Sequence, residues 1–256
     1  MSLEERRRFF AQRDGNRYWW HRKIEDAYVP DVYAALSDDE WKVLAAWFEE
    51  TDAKSMIGEC AIPPIAWLTS FVSANDVRRI VQLGSYAGYS ALILGWTLRR
   101  MGKRRALVAV DIDEPSLAFT TEWVRRAGLE EQVHVHRSDS SDPALPAAAR
   151  EYLSGPPQLV FIDSSHQYAH TVRELDLWYE QLATGGLIAL HDTSEYAASF
   201  DSTGEGGVRR ALAEWHAKTR ASAFSLAYAT ELLNQKRHVY LDGCGLGFVV
   251  KDGAPL

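Results

Sequence analysis

Three acidic residues, Asp111, Asp163 and Asp192, stand where strand-like runs of the sequence end. Two of them have a histidine close by: His166 follows Asp163 by three positions, and His191 directly precedes Asp192. Carboxylates that become buried need partners, and a functional site supplies them. A histidine titrates near neutral pH and suits a general base. Acids at successive strand ends therefore indicate a site more readily than a purely structural role.

A glycine turn lies before these acids in the chain. The stretch 81–90 joins a strand-like run to a helical run through Gly84 and Gly88. Glycine permits a sharp turn and the close approach of a ligand, and a helix that begins just after it directs free N–H groups there. The spacing differs from the G-x-G-x-x-G of dinucleotide sites, because Tyr86 stands in place of the second glycine. The turn predicts a site for a nucleotide-like molecule, with an ordinary strand-to-helix turn as the alternative.

Asp111 is the residue that we pair with this turn. It follows Gly84 by 27 residues, an offset similar to the ~20 residues between the glycines and the ribose-binding acid of dinucleotide folds. We therefore expect Asp111 to accept hydrogen bonds from the two ribose hydroxyls of an adenosine. The alternative is that Asp111 caps the following helix together with Asp113.

The elements that position these residues alternate between strand and helix from residue 79 onward, which predicts a parallel sheet. The carboxyl ends of parallel strands open on one side, so the residues after them converge. The loop 192–207 is long enough to close over a cleft at that edge. The predicted strands are 79–83, 106–111, 132–136, 158–163 and 187–191, with further candidates at 223–229 and 246–251.

The N-terminal region, 1–55, is predicted to be a helical extension that acts as a lid or as an oligomer contact, for example in a homodimer. Ser37 and Glu40 form a capping-box signature, and Pro63-Pro64 is expected to break the chain before a short helix at 65–73. One helical face is apolar, at Trp41, Leu44, Ala45 and Phe48. Further aromatic residues of this region include Tyr18, Trp19, Trp20, Tyr28, Tyr33 and Trp47.

Composition narrows the class of protein. Hydrophobic residues make up 46% and charged residues 25% of the 256 residues, as in ordinary globular proteins. A net charge of -7 argues against a surface that coats nucleic acid. The two cysteines form neither a metal motif nor a disulfide framework, which favours a reducing, cytoplasmic setting. No apolar run approaches ~18 residues, so we expect no membrane span.

Four motifs, in order, give the chain a family resemblance. They are VQLGSYAGYSA at 81–91, VAVDI at 108–112, LVFIDSSH at 159–166 and GGLIALHD at 185–192, followed by GVRRA at 207–211. The chain resembles the class I S-adenosylmethionine-dependent methyltransferases, close to the catechol and caffeoyl-CoA type of O-methyltransferase. The resemblance covers about 56–251. It implies a doubly wound, mostly parallel, seven-stranded α/β sheet of the Rossmann-like methyltransferase type over residues 56–256, with the N-terminal extension outside it.

The resemblance also implies a role for each matching position. The methionine part of the cofactor would lie against the glycine turn, the ribose on Asp111, the adenine on Ile112 with its edge at Asp139 and Ser140, and the sulfonium end beside Asp163. The residues implied at the turn are Gly84, Ser85, Tyr86, Gly88 and Ser90.

Two positions depart from that family. Metal-dependent members hold Mg²⁺ with residues that here read Asp163, His191 and Asp192, and a histidine suits Mg²⁺ less well than Mn²⁺ or Fe²⁺. A metal-free pair of His191 and Asp192 is the alternative. His166 stands where catechol-type enzymes carry a lysine base, and we expect His166 to be the general base, with a solvent-exposed loop histidine as the alternative.

The predicted function is methyl transfer to a hydroxyl of a small molecule, in secondary metabolism. Transfer to nitrogen within the same fold is one alternative. A non-catalytic regulatory protein that binds S-adenosylmethionine is another. A nicotinamide-dependent oxidoreductase has the wrong glycine spacing.

Overall fold

The computed structural model describes residues 2–12, 29–227, 240 and 242–252. Four of the aromatic residues noted above, Tyr18, Trp19, Trp20 and Tyr28, lie outside the described residues, as does the end of the strand candidate 223–229. The N-terminal helices are α1 (Leu3–Ala11), α2 (Asp31–Ala34), α3 (Asp38–Ala53) and α4 (Ile62–Ala74).

Two of these helices begin with the features that their sequences favour. The Ser37 hydroxyl accepts from the Glu40 amide, and the Glu40 side chain accepts from the Ser37 amide, so the predicted capping box of α3 is confirmed. The prediction for α4 was wrong at its start. The helix begins at Ile62, and Pro63-Pro64 lies inside its first turn, where the missing N–H groups have no helical partner to lose.

The centre of the molecule is a seven-stranded sheet in the order β3-β2-β1-β4-β5-β7-β6. The first five strands are parallel, and β7 pairs antiparallel with both β5 and β6. The predicted doubly wound α/β fold is confirmed. The strands are β1 (Ile80–Leu83), β2 (Leu107–Asp111), β3 (Val133–Arg137), β4 (Leu159–Ile162), β5 (Leu187–His191), β6 (Ala223–Leu226) and β7 (Leu246–Val250).

Helices cover both faces of this sheet. They are α5 (Tyr89–Arg100), α6 (Glu114–Arg126), α7 (Leu145–Leu153), α8 (Tyr168–Gln181) and α9 (Gly207–Thr219), with a 3₁₀ helix at Ala197–Phe200. Alternate strand residues face opposite cores: Leu107 and Ala109 pack on the side of the N-terminal helices, while Val108 and Val110 face the other side. No helix among the described residues is both long and apolar enough to span a membrane.

The register of the strands brings the candidate residues to one edge. Leu83 lies beside Val110 and beside Ile162, and Ile162 lies beside Leu190. The residues that follow these positions therefore leave the sheet at the same level, at its carboxyl edge.

Candidate functional site

The end of β4 lies directly against the glycine turn. Gly84 has φ +85°, and a Cβ there would lie 1.9 Å from the carbonyl oxygen of Asp163. Gly88 has φ +87° and precedes α5, and a Cβ there would meet the Thr120 side chain at 3.0 Å. Both positions thus need glycine for conformation and for space. Thr120 also donates from Oγ1 to the carbonyl oxygen of Tyr86 at 2.6 Å, which fixes the turn from α6.

Asp111 binds this turn directly. Its Oδ2 accepts from the Tyr86 amide at 2.7 Å and its Oδ1 accepts from the Asp113 amide at 3.0 Å. The cap of α6 is Asp113, whose Oδ2 accepts from the Ser116 amide at 2.9 Å. Because each carboxylate oxygen has two lone pairs, Asp111 retains acceptor capacity at the rim of the turn.

A cavity of about 550 Å³ opens above the turn and along the carboxyl edge of the sheet. Of the predicted site residues, Gly88, His191 and Asp192 lie outside its lining. The ones that line it are Gly84, Ser85, Tyr86, Ser90, Asp111, Ile112, Asp139, Ser140, Asp163 and His166. Ile112 is 64% exposed, which suits packing against a flat ring.

Two buried polar atoms in this lining have no partner among the described residues. They are Oε1 of Gln82 and Oγ of Ser85, side chains that are 1% and 4% exposed. Buried polar atoms are nearly always paired, so these two indicate a polar ligand or water in the cavity. The cavity and its two unpaired polar atoms fit a nucleoside-sized cofactor.

Beside the cavity, acids and histidines are close enough to exchange protons. His166 Nε2 lies 3.0 Å from Asp192 Oδ2. His191 Nδ1 lies 3.3 Å from Asp163 Oδ1 and 3.4 Å from Asp192 Oδ1, and its Nε2 lies 3.5 Å from Asp242 Oδ2. The ends of β4, β5 and the segment before β7 thus meet in one network of charged groups.

Burial and charge act in opposite directions on these groups. Burial lowers the pKa of His166, but the hydrogen bond with Asp192 and the charges of Asp192 and Asp163 outweigh it and raise the pKa. Burial likewise lowers the pKa of His191, and the three neighbouring carboxylates raise it well above its ordinary value. Burial raises the pKa of Asp192, whereas His191 and His166 lower it by more.

The backbone is strained at two of these residues. His166 has φ +60° and Asp192 has φ +62°, and neither is glycine. Left-handed conformations of such residues cost about 1–3 kcal/mol and cluster at functional sites. The strained residues are the two whose side chains meet, His166 and Asp192.

Two sets of side chains could hold a metal ion among the residues that the structure describes. Asp163, His166 and Asp192 offer ligand atoms within 4.8 Å of one another, and so do His191, Asp192 and Cys244. The first set shares both carboxylates with the predicted one, with His166 in the third place. Two carboxylates and an imidazole suit Mn²⁺ or Fe²⁺ by the chemistry of the donors.

A second polar cluster lies behind Ser140. His170 Nε2 is 2.8 Å from Ser140 Oγ, and Glu174 Oε1 is 3.3 Å from the same nitrogen. Sequence reasoning missed His170 and Glu174, although their i, i+4 spacing after β4 was a usable signal. It also missed Asp242, for which the sequence holds no motif, and the cavity-lining segment 57–60.

A comparison with protein families matches residues 81–193 to a methyltransferase domain. The chain is 26% identical over 127 residues to "O-methyltransferase hkm8" of Aspergillus hancockii, covering 50% of this chain and 47% of that protein. It is 23% identical over 127 residues to the flavonoid 3',5'-methyltransferase of Vitis vinifera, covering 50% and 52%. The chain thus spans about half the length of the curated relatives that it matches.

Solved structures share the fold over a larger part of the chain. The O-methyltransferase from Bacillus cereus, in complex with SAH, has a TM-score of 0.63 at 20% identity and covers 88% of this chain and 96% of its own. The O-methyltransferase TomG from Streptomyces achromogenes, in complex with SAM, has a TM-score of 0.63 at 18% identity and covers 85% and 91%. These solved structures confirm the predicted methyltransferase fold, and the domain match lies within the region of the predicted resemblance.

Proposed function

We propose that this chain, which has the class I S-adenosylmethionine-dependent methyltransferase fold, transfers a methyl group from S-adenosylmethionine to a hydroxyl of a small molecule. The observation that carries the proposal is the contact between Asp111 and the glycine turn, 2.7 Å from carboxylate to the Tyr86 amide. It joins the acid and the bend at one rim of a nucleoside-sized cavity. The fold and the domain match support the same chemistry.

The residues of the cavity divide the binding of the cofactor between them. Asp111 would bind the ribose hydroxyls, Ile112 would pack on the adenine, and Asp139 and Ser140 would contact its edge. The turn from Gly84 to Gly88, with Ser90, would hold the methionine part, and Asp163 would lie beside the sulfonium end. When bound, S-adenosylmethionine supplies a methyl group that its positive sulfur already activates.

His166 is the proposed general base. Its Nε2–H donates to Asp192 at 3.0 Å, so Nδ1 is the nitrogen that accepts the proton of the substrate hydroxyl. The oxygen then takes the methyl group as the bond from carbon to sulfur breaks, and the sulfur becomes neutral. Asp192 orients the ring and stabilises its charge, as the acid does in other acid–histidine pairs. Such base catalysis contributes typically 10²–10⁴ in rate.

Assistance by a divalent metal ion is the alternative means of deprotonating the substrate hydroxyl. Either Asp163, His166 and Asp192, or the set predicted from the sequence, Asp163, His191 and Asp192, would hold the ion, which would lower the pKa of the substrate hydroxyl. A ligated His166 would not serve as the base. Activity that persists after treatment with a chelator favours the base, and activity that returns only with Mn²⁺, Fe²⁺ or Mg²⁺ favours the metal.

Secondary metabolism is the proposed setting for the acceptor. TomG is involved in tomaymycin synthesis, and the name of the Vitis vinifera relative gives a flavonoid acceptor. Both properties belong to those proteins. For this chain they support hydroxylated small molecules as the first panel of acceptors to test.

Two variants test the proposal. Asp111→Asn should weaken binding of S-adenosylhomocysteine in calorimetry by about tenfold or more, since a charged hydrogen bond to a ribose hydroxyl is worth about 1.5–3 kcal/mol. Asp113→Asn, which alters only the helix cap, is the matched control and should retain affinity.

His166→Gln should lower turnover about 10²-fold or more with the affinity for S-adenosylhomocysteine nearly unchanged. If the wild-type chain binds NAD and ignores S-adenosylhomocysteine, the proposal is wrong.

A further inference from the structure

The hydroxyl of Ser140 stands between the cavity and a histidine that the proposed reaction does not use. Ser140 is 8% exposed, and its Oγ lies 2.8 Å from Nε2 of His170. Both residues line the cavity, next to Asp139. A hydroxyl can donate one hydrogen and accept others, so the direction of this single contact decides what Ser140 offers to a ligand.

The neighbours of His170 fix that direction. Arg173 Nη2 lies 3.2 Å from Nδ1, and a guanidinium has only donors, so Nδ1 accepts and the ring hydrogen is on Nε2. Glu174 Oε1 lies 3.3 Å from Nε2, and a carboxylate has only acceptors, which requires the same hydrogen on Nε2. A second proton on the ring would leave Nε2–H in place. In either charge state, Ser140 therefore cannot donate its hydrogen to His170.

Glu174 is anchored so that this arrangement is held in place. It is 0% exposed on α8, and its Oε1 also accepts from Ser164 Oγ at 2.7 Å. One helical turn earlier on the same helix, His170 leaves 13% of its side chain exposed. Trp178, also on α8, donates from Nε1 to the Ser140 carbonyl oxygen at 2.9 Å, which fixes the Ser140 backbone.

We propose that His170 determines specificity for the base of the cofactor, by making the Ser140 hydroxyl a donor to an unprotonated ring nitrogen of a 6-aminopurine. Asp139 completes the pair, since its Oδ1 accepts from Ser141 and its other oxygen can accept from the 6-amino group. A donor beside an acceptor matches adenine. In hypoxanthine, the hydrogen on N1 would face the hydrogen of the Ser140 hydroxyl, and the 6-oxo group would face the Asp139 carboxylate. Neither hydrogen bond could then form. The inference rests on the proposed function.

The experiment compares two ligands that differ only in the base, S-adenosylhomocysteine and S-inosylhomocysteine, by titration calorimetry. Wild-type protein should bind the adenosyl compound more tightly by at least about tenfold, the equivalent of about 1.4 kcal/mol. His170→Phe, which removes the fixed N–H, should reduce that preference about tenfold. Ser140→Ala should reduce it similarly, and the double variant should add little, because both act on one hydrogen bond. His134→Phe, which replaces a histidine on β3 outside the cavity lining, is the matched control and should keep the wild-type ratio.

The ratio of the two affinities separates specificity from a structural role. If His170→Phe weakens both ligands equally, or if the wild-type protein binds both alike, the inference is overturned while the proposed methyl transfer stands. If the wild-type protein binds neither ligand, the proposed function itself fails. Should His170→Phe not fold, Ser140→Ala leaves α8 intact and decides the question with the same ratio.

Discussion

Gly84 occupies the position where the end of β4 and the glycine turn approach most closely. An added Cβ would meet the carbonyl oxygen of Asp163 at 1.9 Å and its carbonyl carbon at 2.6 Å. These are backbone atoms held by the parallel pairing of β1 with β4, so neither side can yield without disturbing the strand ends. The same contact sets the distance between the turn and the Asp163 side of the cavity.

We predict that Gly84→Ala destabilises the protein by about 3 kcal/mol or more, from the clash together with the φ of +85°. Gly102→Ala is the matched control, since Gly102 also has a positive φ, +69°, but has nothing within 4 Å of an added Cβ. It should cost only about 1 kcal/mol. Urea unfolding of both variants measures the difference, and equal costs would show that the close approach is unimportant.

At the scale of elements, the sequence predicted most of what the structure shows wherever one pattern had one physical solution. The alternation of strands and helices from residue 79, the capping box at Ser37 and the common edge of the strand ends all depend on local periodicity or on sheet geometry. The helix start at Ile62 was missed because proline is a breaker within a helix and a good first-turn residue at its start. Sequence alone does not tell these two positions apart.

The same distinction applies to the candidate site. The sequence predicted that residues directly after strands lie together, because the topology alone brings them to one edge. The partners that approach from elsewhere were not: Asp242 reaches His191 from just before β7, and Glu174 reaches Ser164 and His170 from inside α8. The sequence also leaves open whether Asp111 or Asp113 caps α6, since either acid satisfies the local pattern, and in the structure the cap is Asp113.

The loop 192–207, predicted to be long enough to close over a cleft, is held together at one residue. Asp201 Oδ2 accepts from the amides of Gly207 at 2.9 Å and Tyr168 at 3.3 Å, and its Oδ1 accepts from the amide of Thr203 at 2.9 Å. It therefore ties the first residues of α9 and α8 to each other. Burial alone would raise the pKa of Asp201, but the hydrogen bonds from Thr203, Gly207 and Tyr168 lower it to about 2.

We predict that Asp201→Ala destabilises the protein by about 2–3 kcal/mol at pH 7, because several backbone donors lose a charged acceptor. Since the pKa is lowered on folding, this contribution is present above the ordinary value of 3.8 and is lost as the pH falls through about 2. The difference in unfolding free energy between wild type and variant should therefore shrink toward acid. Asp142→Ala is the control, since Asp142 accepts a single side-chain hydrogen bond, from the Ala144 amide at 2.8 Å. A difference that stays constant from pH 7 to pH 2 would contradict this role.

At the scale of the whole molecule, the described part of the N-terminal extension shares a core with the sheet. Trp41, Trp47 and Phe48 of α3 belong to the same buried cluster as Leu92 of α5 and Leu107 of β2. The boundary at residue 55, and the role of the extension as a lid or an oligomer contact, stay predictions. The shared core nevertheless places α3 beside the cavity above the glycine turn.

Trp47 is the residue of α3 that contacts the cavity. It lines the cavity and donates from Nε1 to the carbonyl oxygen of Ala87 in the glycine turn at 2.7 Å. We predict that Trp47→Phe lowers stability by about 1–3 kcal/mol, from the lost hydrogen bond and the smaller ring. It should also weaken the binding of S-adenosylhomocysteine about fivefold, an effect of about 1 kcal/mol.

Trp41→Phe separates these two effects, because Trp41 is equally buried, packs among Phe9, Phe10 and Tyr33, and lies outside the cavity lining. It should lower stability without changing affinity. The measurement is thermal unfolding at several concentrations of S-adenosylhomocysteine, since a ligand that binds only the folded state raises stability by RT ln(1 + [L]/Kd). If both variants gain as much stability from the ligand as the wild type does, the N-terminal helices support the core and leave the glycine turn unaffected.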